Sequence, residues 1–272
     1  MFRDCLLLAG SSESYSEGGV IKYNNHYITF GNNLYDMSNM FRRCTALMTK
    51  NTLEYSLPGN VTNMAWAFAD GAGYKWDFVM PEMVRNAQGL FADSTLNYIP
   101  KNTAFSQNVK DVSYMFYNTG FYGSTSMDTI QIPGSVEDMS YSFSKFRYLT
   151  LNVNVGENVY NLHHAFSNSN IKSEISIPDT TVDVSYIFSN STHNNSFIIP
   201  DTVTNSVGVF YGDAIFNNHV TFSNNSKNLY AFFKNTNEYR YEDIVIPDNV
   251  EDCSEMFANA LVFDCNVIFG KD

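Results

Sequence analysis

The chain has 272 residues, of which 44% are hydrophobic, 15% aromatic and 16% charged, and its formal net charge is −12 at pH 7. This apolar content excludes a disordered chain, and the negative field excludes nucleic acid as an expected partner because it repels phosphate backbones. No run approaches the roughly 18 to 20 apolar residues of a membrane span, so membrane insertion is not expected either.

Residues 1–30 form the predicted N-terminal cap. The apolar stretch after Asp4 is five residues long, too short for a signal-peptide core, so the chain as written is not expected to take the general secretion route. Residues 10–19 are rich in Ser, Gly and Glu and predict a loop. From Val20 to Phe30 the residues alternate about Asn24 and Asn25, which predicts a β-hairpin that caps the first repeat.

Residues 28–260 contain about ten tandem repeats, each anchored by a phenylalanine at an interval of 22 to 27 residues. The anchors are Phe41, Phe68, Phe91, Phe116, Phe143, Phe166, Phe188, Phe210, Phe233 and Phe257. Positions thirteen and eleven before the anchor are apolar almost throughout, as at Ile130 and Ile132, and this period of two predicts a short strand with one buried face. Six of the seven prolines stand directly after that strand, where proline ends a ladder.

A second pattern follows within each repeat. Positions four before, one before and at the anchor are mostly apolar, which predicts a single helical turn. Five before the anchor the residue is always Asp or Asn. We interpret this residue as a cap for the N–H groups of that turn, or alternatively as an Asn ladder that bonds the backbone of the next repeat. These residues are Asp36, Asn63, Asn86, Asp111, Asp138, Asn161, Asp183, Asn205, Asn228 and Asp252.

One such unit cannot bury its own apolar face, whereas stacked units can. The sequence therefore predicts a repeat solenoid with one parallel strand and one helical turn per repeat of about 24 residues. Residues 261–272 form the predicted C-terminal cap, in which 261–269 supply a last strand without another turn.

The segments 130–143 and 244–257 resemble the BspA-like leucine-rich repeats of bacterial surface proteins, and Val109–Phe116 is very close to the V-x-N-M-S-x-M-F core of the related mycoplasma-type lipoprotein repeats. The resemblance covers roughly residues 28 to 269. It implies a right-handed coil of the leucine-rich-repeat (LRR) type and a role in adhesion or protein binding. The family's surface proteins carry a secretion signal, which is not expected here, and the chain is in this respect similar to repeat proteins carried on phage particles.

Two surfaces are candidate binding sites for a protein or a cell-surface glycan. Residues two before the anchor form an aromatic stripe whose rings could stack on sugars, or could simply pack on each other. The stripe consists of Trp66, Tyr114, Tyr141, His164 and Tyr186. The solvent face of the strands, supplied by residues twelve and fourteen before the anchor, is polar and mildly acidic, and it is either a binding face or simply solvated.

No metal, cofactor or catalytic residue is expected. The five histidines lack metal-ligand spacing, the carboxylates are dispersed by the repeat, and no nucleophile arrangement can be assembled. Cys253 and Cys265 could pair, but Cys253 lies at a mostly apolar position and is predicted to be a buried thiol.

These observations predict a non-catalytic protein, a fibre, decoration or receptor-binding component on the surface of a phage virion, which could assemble as a homo-oligomer or within a larger particle. A bacterial cell-surface adhesin or lipoprotein fragment, from which a leader was removed, is the alternative. A glycan-active enzyme on a solenoid scaffold is a remote third possibility, because it would need a pair of carboxylates at catalytic separation.

Overall fold

The computed structural model describes residues 20–23, 26–44, 57–74, 78–96, 105–121, 129–146, 152–171, 174–193, 195–213, 219–239 and 243–270. The chain divides into two compact units, Met1–Asp128 (unit 1) and Thr129–Asp272 (unit 2). The boundary falls inside the predicted array of residues 28–260. The predicted loop 10–19, the Asn24-Asn25 turn and the strand positions Tyr55 and Thr103 lie outside the described residues.

Within the described ranges the chain forms short strands and no helix. The strands are β1 Val20–Tyr23, β2 His26–Thr29, β3 Ala72–Tyr74, β4 Thr95–Leu96, β5 Gly120–Phe121, β6 Thr129–Gln131, β7 Asn152–Asn154, β8 Asn170–Ile171, β9 Thr192–His193, β10 Phe197–Ile198, β11 Val220–Thr221, β12 Glu238–Tyr239, β13 Ile244–Ile246, β14 Val262–Phe263 and β15 Val267–Phe269.

Strands that precede the anchors pair in parallel with the equivalent strand one repeat away. In unit 2, β6 pairs with β7, β10 with β11, and β13 with β15. Ile130 and Val153 face each other and are buried, while the following residues Gln131 and Asn154 are exposed. This alternation is the one that the period of two predicts, because successive side chains on a strand point to opposite faces.

A second set of parallel strands follows the anchors. In unit 1, β3, β4 and β5 form a three-stranded sheet, and in unit 2, β8 pairs with β9 and β12 with β14. The sequence predicts a polar return loop at this place. Strands of two or three residues carry too few alternating positions to be recognised as strands.

The segment around each anchor is a run of reverse turns, not the predicted helical turn. Around Phe41, one set of N–H groups closes turns, as Cys44 does onto the carbonyl of Phe41 at 3.1 Å. The alternate N–H groups leave the turn and donate to the next repeat, as Phe41 does to the Ala67 carbonyl at 2.9 Å. A helix would use every N–H within its own turns, so stacking on the next repeat decides the conformation here.

Left-handed backbone at two positions explains why no helix forms. Residues two before and two after the anchor have positive φ, as at Asn39 (φ 54°) and Arg43 (φ 61°). A positive φ at the third of the four residues of a turn is the geometry of a type II turn. Such a residue interrupts a right-handed helix. Parallel bridges between successive Asp or Asn residues, such as Asp36 with Asn63 and Asp138 with Asn161, continue this turn ladder along each unit.

The anchor rings form a stacked column inside each unit. In unit 1 the stacked pairs begin with Phe41 and Phe68, whose centroids are 5.6 Å apart, and in unit 2 they begin with Phe143 and Phe166, also 5.6 Å apart. The remaining stacked pairs are Phe68–Phe91, Phe91–Phe116, Phe166–Phe188, Phe188–Phe210, Phe210–Phe233 and Phe233–Phe257, at 5.7 to 6.0 Å. Every anchor except Phe257 is at most 3% exposed.

The strands near the two ends of the chain pair in different ways. β1 and β2 pair antiparallel, with Val20 opposite Thr29, as the alternation from Val20 to Phe30 predicts. At the C-terminal end, residues 261–269 form two short strands, β14 and β15, where one was predicted. Leu261 (73%) and Phe269 (61%) remain largely exposed there.

Candidate functional site

The aromatic stripe of unit 2 is a column of rings in direct contact. Tyr141, His164 and Tyr186 all have positive φ, between 52° and 56°. The ring of His164 stacks on Tyr141 at 4.8 Å and 17°, and on Tyr186 at 4.9 Å and 7°. Because both faces of His164 and the facing sides of both tyrosines are occupied, a sugar ring has no free inner face to stack on.

The ring at the end of this column, Tyr186, packs on a glycine of the next repeat. Gly208 has φ +58°, and a Cβ added there would lie 2.3 Å from Cε1 of Tyr186. The absent side chain therefore makes room for the Tyr186 ring, which covers the backbone of the next repeat. Both the left-handed φ and the close approach require glycine at this position.

Beside the column runs a chain of hydrogen bonds that sequence reasoning missed. The Tyr141 hydroxyl lies 3.2 Å from Nε2 of His163, His163 Nδ1 lies 2.6 Å from the Ser185 hydroxyl, and that hydroxyl donates to Oδ1 of Asp183 at 2.5 Å. Since Ser185 uses its proton on Asp183, Nδ1 of His163 must carry the hydrogen that Ser185 accepts. Tyr141 then donates to Nε2.

A serine next to a histidine is a nucleophile arrangement in hydrolases, but the geometry of this pair differs from that arrangement. The side chain of Ser185 is only 2% exposed, and its proton points to Asp183, not to His163. A catalytic histidine would have to accept that proton. The only feature of the sequence that points to this hydrogen-bonded chain is that His163 occupies a position where neighbouring repeats carry serine.

His164 has a depressed pKa because of its surroundings. Burial between the tyrosine rings, followed by the charge of the adjacent His163, lowers the pKa of His164 to about 4, and Asp183 opposes part of this shift. The imidazole is therefore neutral at pH 7, which suits a ring stacked between two others.

The stripe in unit 1 has the same character. Arg42 places its guanidinium 5.1 Å from the ring centroid of Trp66, and a Cβ on Gly89 would lie 2.5 Å from Cδ2 of that ring. One face of Trp66 thus meets a cation and the other a glycine backbone. Tyr114 lies at a tilt 6.0 Å from Trp66.

The ten Asp and Asn residues of the cap row share one contact. Each accepts the backbone N–H two residues further on, at 2.7 to 3.5 Å. Several also bond along the row, as Asn161 does by donating to Oδ2 of Asp138 at 3.1 Å. The predicted local cap therefore forms at every position, and the ladder beside it joins side chains of successive repeats, not a side chain to the backbone of the next repeat.

The exposed side of the strands in unit 2, which we name the sheet face, differs from the polar surface that the sequence indicates. Its row twelve before the anchors consists of Gln131, Asn154, Ser176, Ile198, Thr221 and Val245, continued by Ile268 on β15. Ile198 is 64% exposed, Val245 55% and Ile268 45%. The C-terminal half of the face therefore exposes β-branched apolar side chains, while Asn154 bonds Gln131 at 2.9 Å in the other half. Of the equivalent positions in unit 1, Glu54, Ser56, Asp77, Asn102 and Ala104 lie outside the described residues.

The prediction that Cys253 is a buried thiol is wrong. Cys253 is exposed, Cys265 is half-buried, and both are free thiols, while Cys44 is buried. Among the described residues no further turn of the ladder covers residue 253, so a position that is apolar and buried in earlier repeats here borders a shallow depression lined by Met256, Phe257 and Phe269.

In the ranges that the structure describes, no three His, Cys, Asp or Glu side chains are grouped so that they could hold a metal ion. Those ranges also contain no helix long and apolar enough to cross a membrane. No protein-family model matches the chain, and neither a curated protein nor a solved structure is similar to it.

Proposed function

We propose that the chain is an LRR-like right-handed solenoid that acts as a non-catalytic binding protein, displayed on a phage virion, and that it recognises a host surface protein with the sheet face of unit 2. The observation that carries the proposal is the exposed row of Ile198, Thr221 and Val245. Ile198 lies opposite Thr221 on β10 and β11, Val245 lies opposite Ile268 on β13 and β15, and paired parallel strands are about 4.8 Å apart. Exposed apolar groups set among polar ones are typical of protein-binding surfaces.

The solenoid part of the proposal is supported by repetition within each unit. Three pairs of strands before the anchors in unit 2, strands after the anchors in both units and most of the turns pair in parallel with a neighbouring repeat. A chain that bonds each repeat chiefly to its neighbours is a linear array.

A protein partner is favoured over a glycan by the aromatic column. Sugar-binding rings offer an open face, whereas His164 and Trp66 have both faces covered. The column is better suited to hold successive repeats together than to bind a ligand.

The free thiols support the virion over a secreted adhesin. Secreted proteins are made in oxidising compartments, where exposed cysteines tend to be paired, whereas virion proteins fold in the reducing bacterial cytosol. Cys253 and Cys265 are unpaired, and Cys253 is exposed. Copurification with virions and gene neighbours that encode capsid or tail proteins are expected; neighbours of purely metabolic kind would contradict the virion assignment.

The binding surface is tested with fluorescently labelled protein on a panel of intact bacterial cells. A double variant, Ile198→Asp with Val245→Asp, should abolish cell binding and leave the thermal midpoint nearly unchanged. Val182→Asp is the matched control, because Val182 is 41% exposed but lies outside the sheet face. Binding should also be lost when the cells are treated with protease.

Loss of binding in a folded Tyr141→Ala variant, together with resistance to protease and sensitivity to periodate, would contradict the proposal. That outcome would move the site to the aromatic column and the ligand to a glycan.

A further inference from the structure

A column of buried hydroxyl groups runs through each unit at the third residue after the anchor. In unit 2, Ser169 donates to the carbonyl of Phe143 at 2.6 Å, and Ser191 donates to the carbonyl of Phe166 at 2.9 Å. Thr236 in the same way donates to Phe210 at 3.1 Å. Unit 1 repeats the contact with Ser94 and Thr119. Each hydroxyl thus donates to the anchor carbonyl of the preceding repeat.

The same oxygen also accepts a hydrogen bond. The N–H of Phe146 donates to Ser169 at 3.0 Å, and the N–H of Ser169 donates to Ser191 at 3.1 Å. A group at this position therefore has to be a donor and an acceptor at once. A hydroxyl meets both demands.

Asp213 occupies this position between Ser191 and Thr236. Its side chain is fully buried, and Oδ1 accepts the N–H of Ser191 at 3.1 Å, which preserves the accepting half of the pattern. Its other oxygen, Oδ2, is buried without a hydrogen-bond partner. An ionised carboxylate cannot donate, so the donating half of the pattern requires a proton on Asp213.

We propose that Asp213 is a neutral carboxylic acid that replaces a column hydroxyl and donates its proton to the carbonyl of Phe188, and that loss of this proton loosens the step between these two repeats. Phe188 is the anchor one repeat earlier, so its carbonyl is equivalent to those that Ser191 and Thr236 bond. The inference does not depend on the binding function, and it makes the contact between these two repeats sensitive to pH.

The surroundings favour the neutral form. Burial raises the pKa of Asp213 well above its ordinary value, and the Ser191 N–H opposes only part of this. The described residues that bond Asp213 are Ser191, Phe210 and Asn237, and none is ionisable. Above the ordinary carboxyl pKa the unfolded chain loses a proton that the folded chain keeps, so stability falls as pH rises, until the folded group also ionises.

The test compares thermal unfolding from pH 5 to pH 10 in the wild type and in Asp213→Ser and Asp213→Asn. Both substitutions keep a donor and an acceptor without an ionisable proton. We expect their advantage in thermal midpoint to grow with pH and reach at least about 4 °C. Asp179→Ser, at an exposed aspartate, should follow the wild type at every pH.

Infrared spectroscopy gives a readout that a merely structural effect would not produce. The wild type at pH 7 should show the C=O stretch of a protonated carboxyl group, and this band should be missing in Asp213→Asn. Absence of the band in the wild type, or the same pH slope of the midpoint in all variants, would overturn the proposal.

Discussion

Two columns of stacked rings in unit 2 differ in burial and in spacing, since the phenylalanine centroids are 5.6 to 6.0 Å apart and the outer rings 4.8 to 4.9 Å apart. The inner column of Phe143, Phe166 and Phe188 is fully buried, whereas the outer column of Tyr141, His164 and Tyr186 is partly exposed and carries polar atoms. The short distance between successive repeats brings equivalent rings into contact in both columns. The two columns also differ in their exposure to solvent. We therefore expect the inner column to contribute mainly to stability and the outer column to tolerate polar and titratable groups.

The largest effect should come from breaking the inner column. Phe188→Ala removes a ring that stacks on Phe166 at 6.0 Å and on Phe210 at 5.7 Å. We expect a loss of about 3 to 5 kcal/mol in the free energy of unfolding, because a cavity replaces the ring. Chemical denaturation measures it, with Tyr186→Ala as the outer-column control. An equal loss in both variants would show that burial does not separate the columns.

A smaller effect is expected where the outer column crosses a glycine. Gly208→Ala puts a Cβ against the Tyr186 ring and a side chain on a backbone with φ +58°. We expect a loss of roughly 2 kcal/mol from strain and clash together. In the double variant with Tyr186→Ala the clash disappears and the φ strain remains, so a thermodynamic cycle should show a clear interaction energy. Strict additivity would mean that the ring does not lie over Gly208.

The row of Asp and Asn residues five positions before the anchors should have a smaller influence on stability. Asn161→Ala removes the acceptor of the His163 N–H and the donor to Asp138, and we expect it to cost about 1 kcal/mol. Asn161→Asp keeps the acceptor but places a carboxylate between Asp138 and Asp183. Its loss should shrink in high salt, because salt screens like charges. A salt-independent loss would exclude repulsion along the row.

The smallest effect concerns the proton of His164. The unfolded chain takes up a proton near the ordinary histidine pKa of 6.5, while the folded ring stays neutral down to about pH 4. Stability should therefore fall between these values as pH is lowered, by an amount of order 1 kcal/mol after solvent screening. His164→Tyr keeps a stacked ring and should flatten this part of the profile relative to the wild type. An unchanged slope in the variant would place the responsible group elsewhere.

Much of the fold is present in the sequence because it is periodic. The ten phenylalanines, the alternation at Ile130 and Ile132 and the Asp or Asn of each repeat mark strands and turns that the structure also contains. The helical turn was the main error. Apolar residues four before, one before and at the anchor fit a helical turn, but they fit a run of type II turns equally well. Only the hydrogen bonds to the adjacent repeat select between the two conformations.

The candidate site was less predictable. The stripe from Trp66 to Tyr186 was found by position, but whether its rings face solvent or each other depends on the repeat above and below. The chain from Tyr141 through His163 and Ser185 to Asp183 joins three different repeats, so no local pattern could reveal it. The same holds for Ile198 and Val245, whose exposure depends on nothing covering the face.

The sequence by itself determined the period, the buried anchors and the Asp or Asn row, because each of these is a demand that one repeat makes on its own residue types. Only the tertiary structure decided the turn conformation, the second set of strands and the stacking of the outer rings. Those features depend on hydrogen bonds and contacts between residues more than twenty positions apart, and a single repeat contains no partner for them.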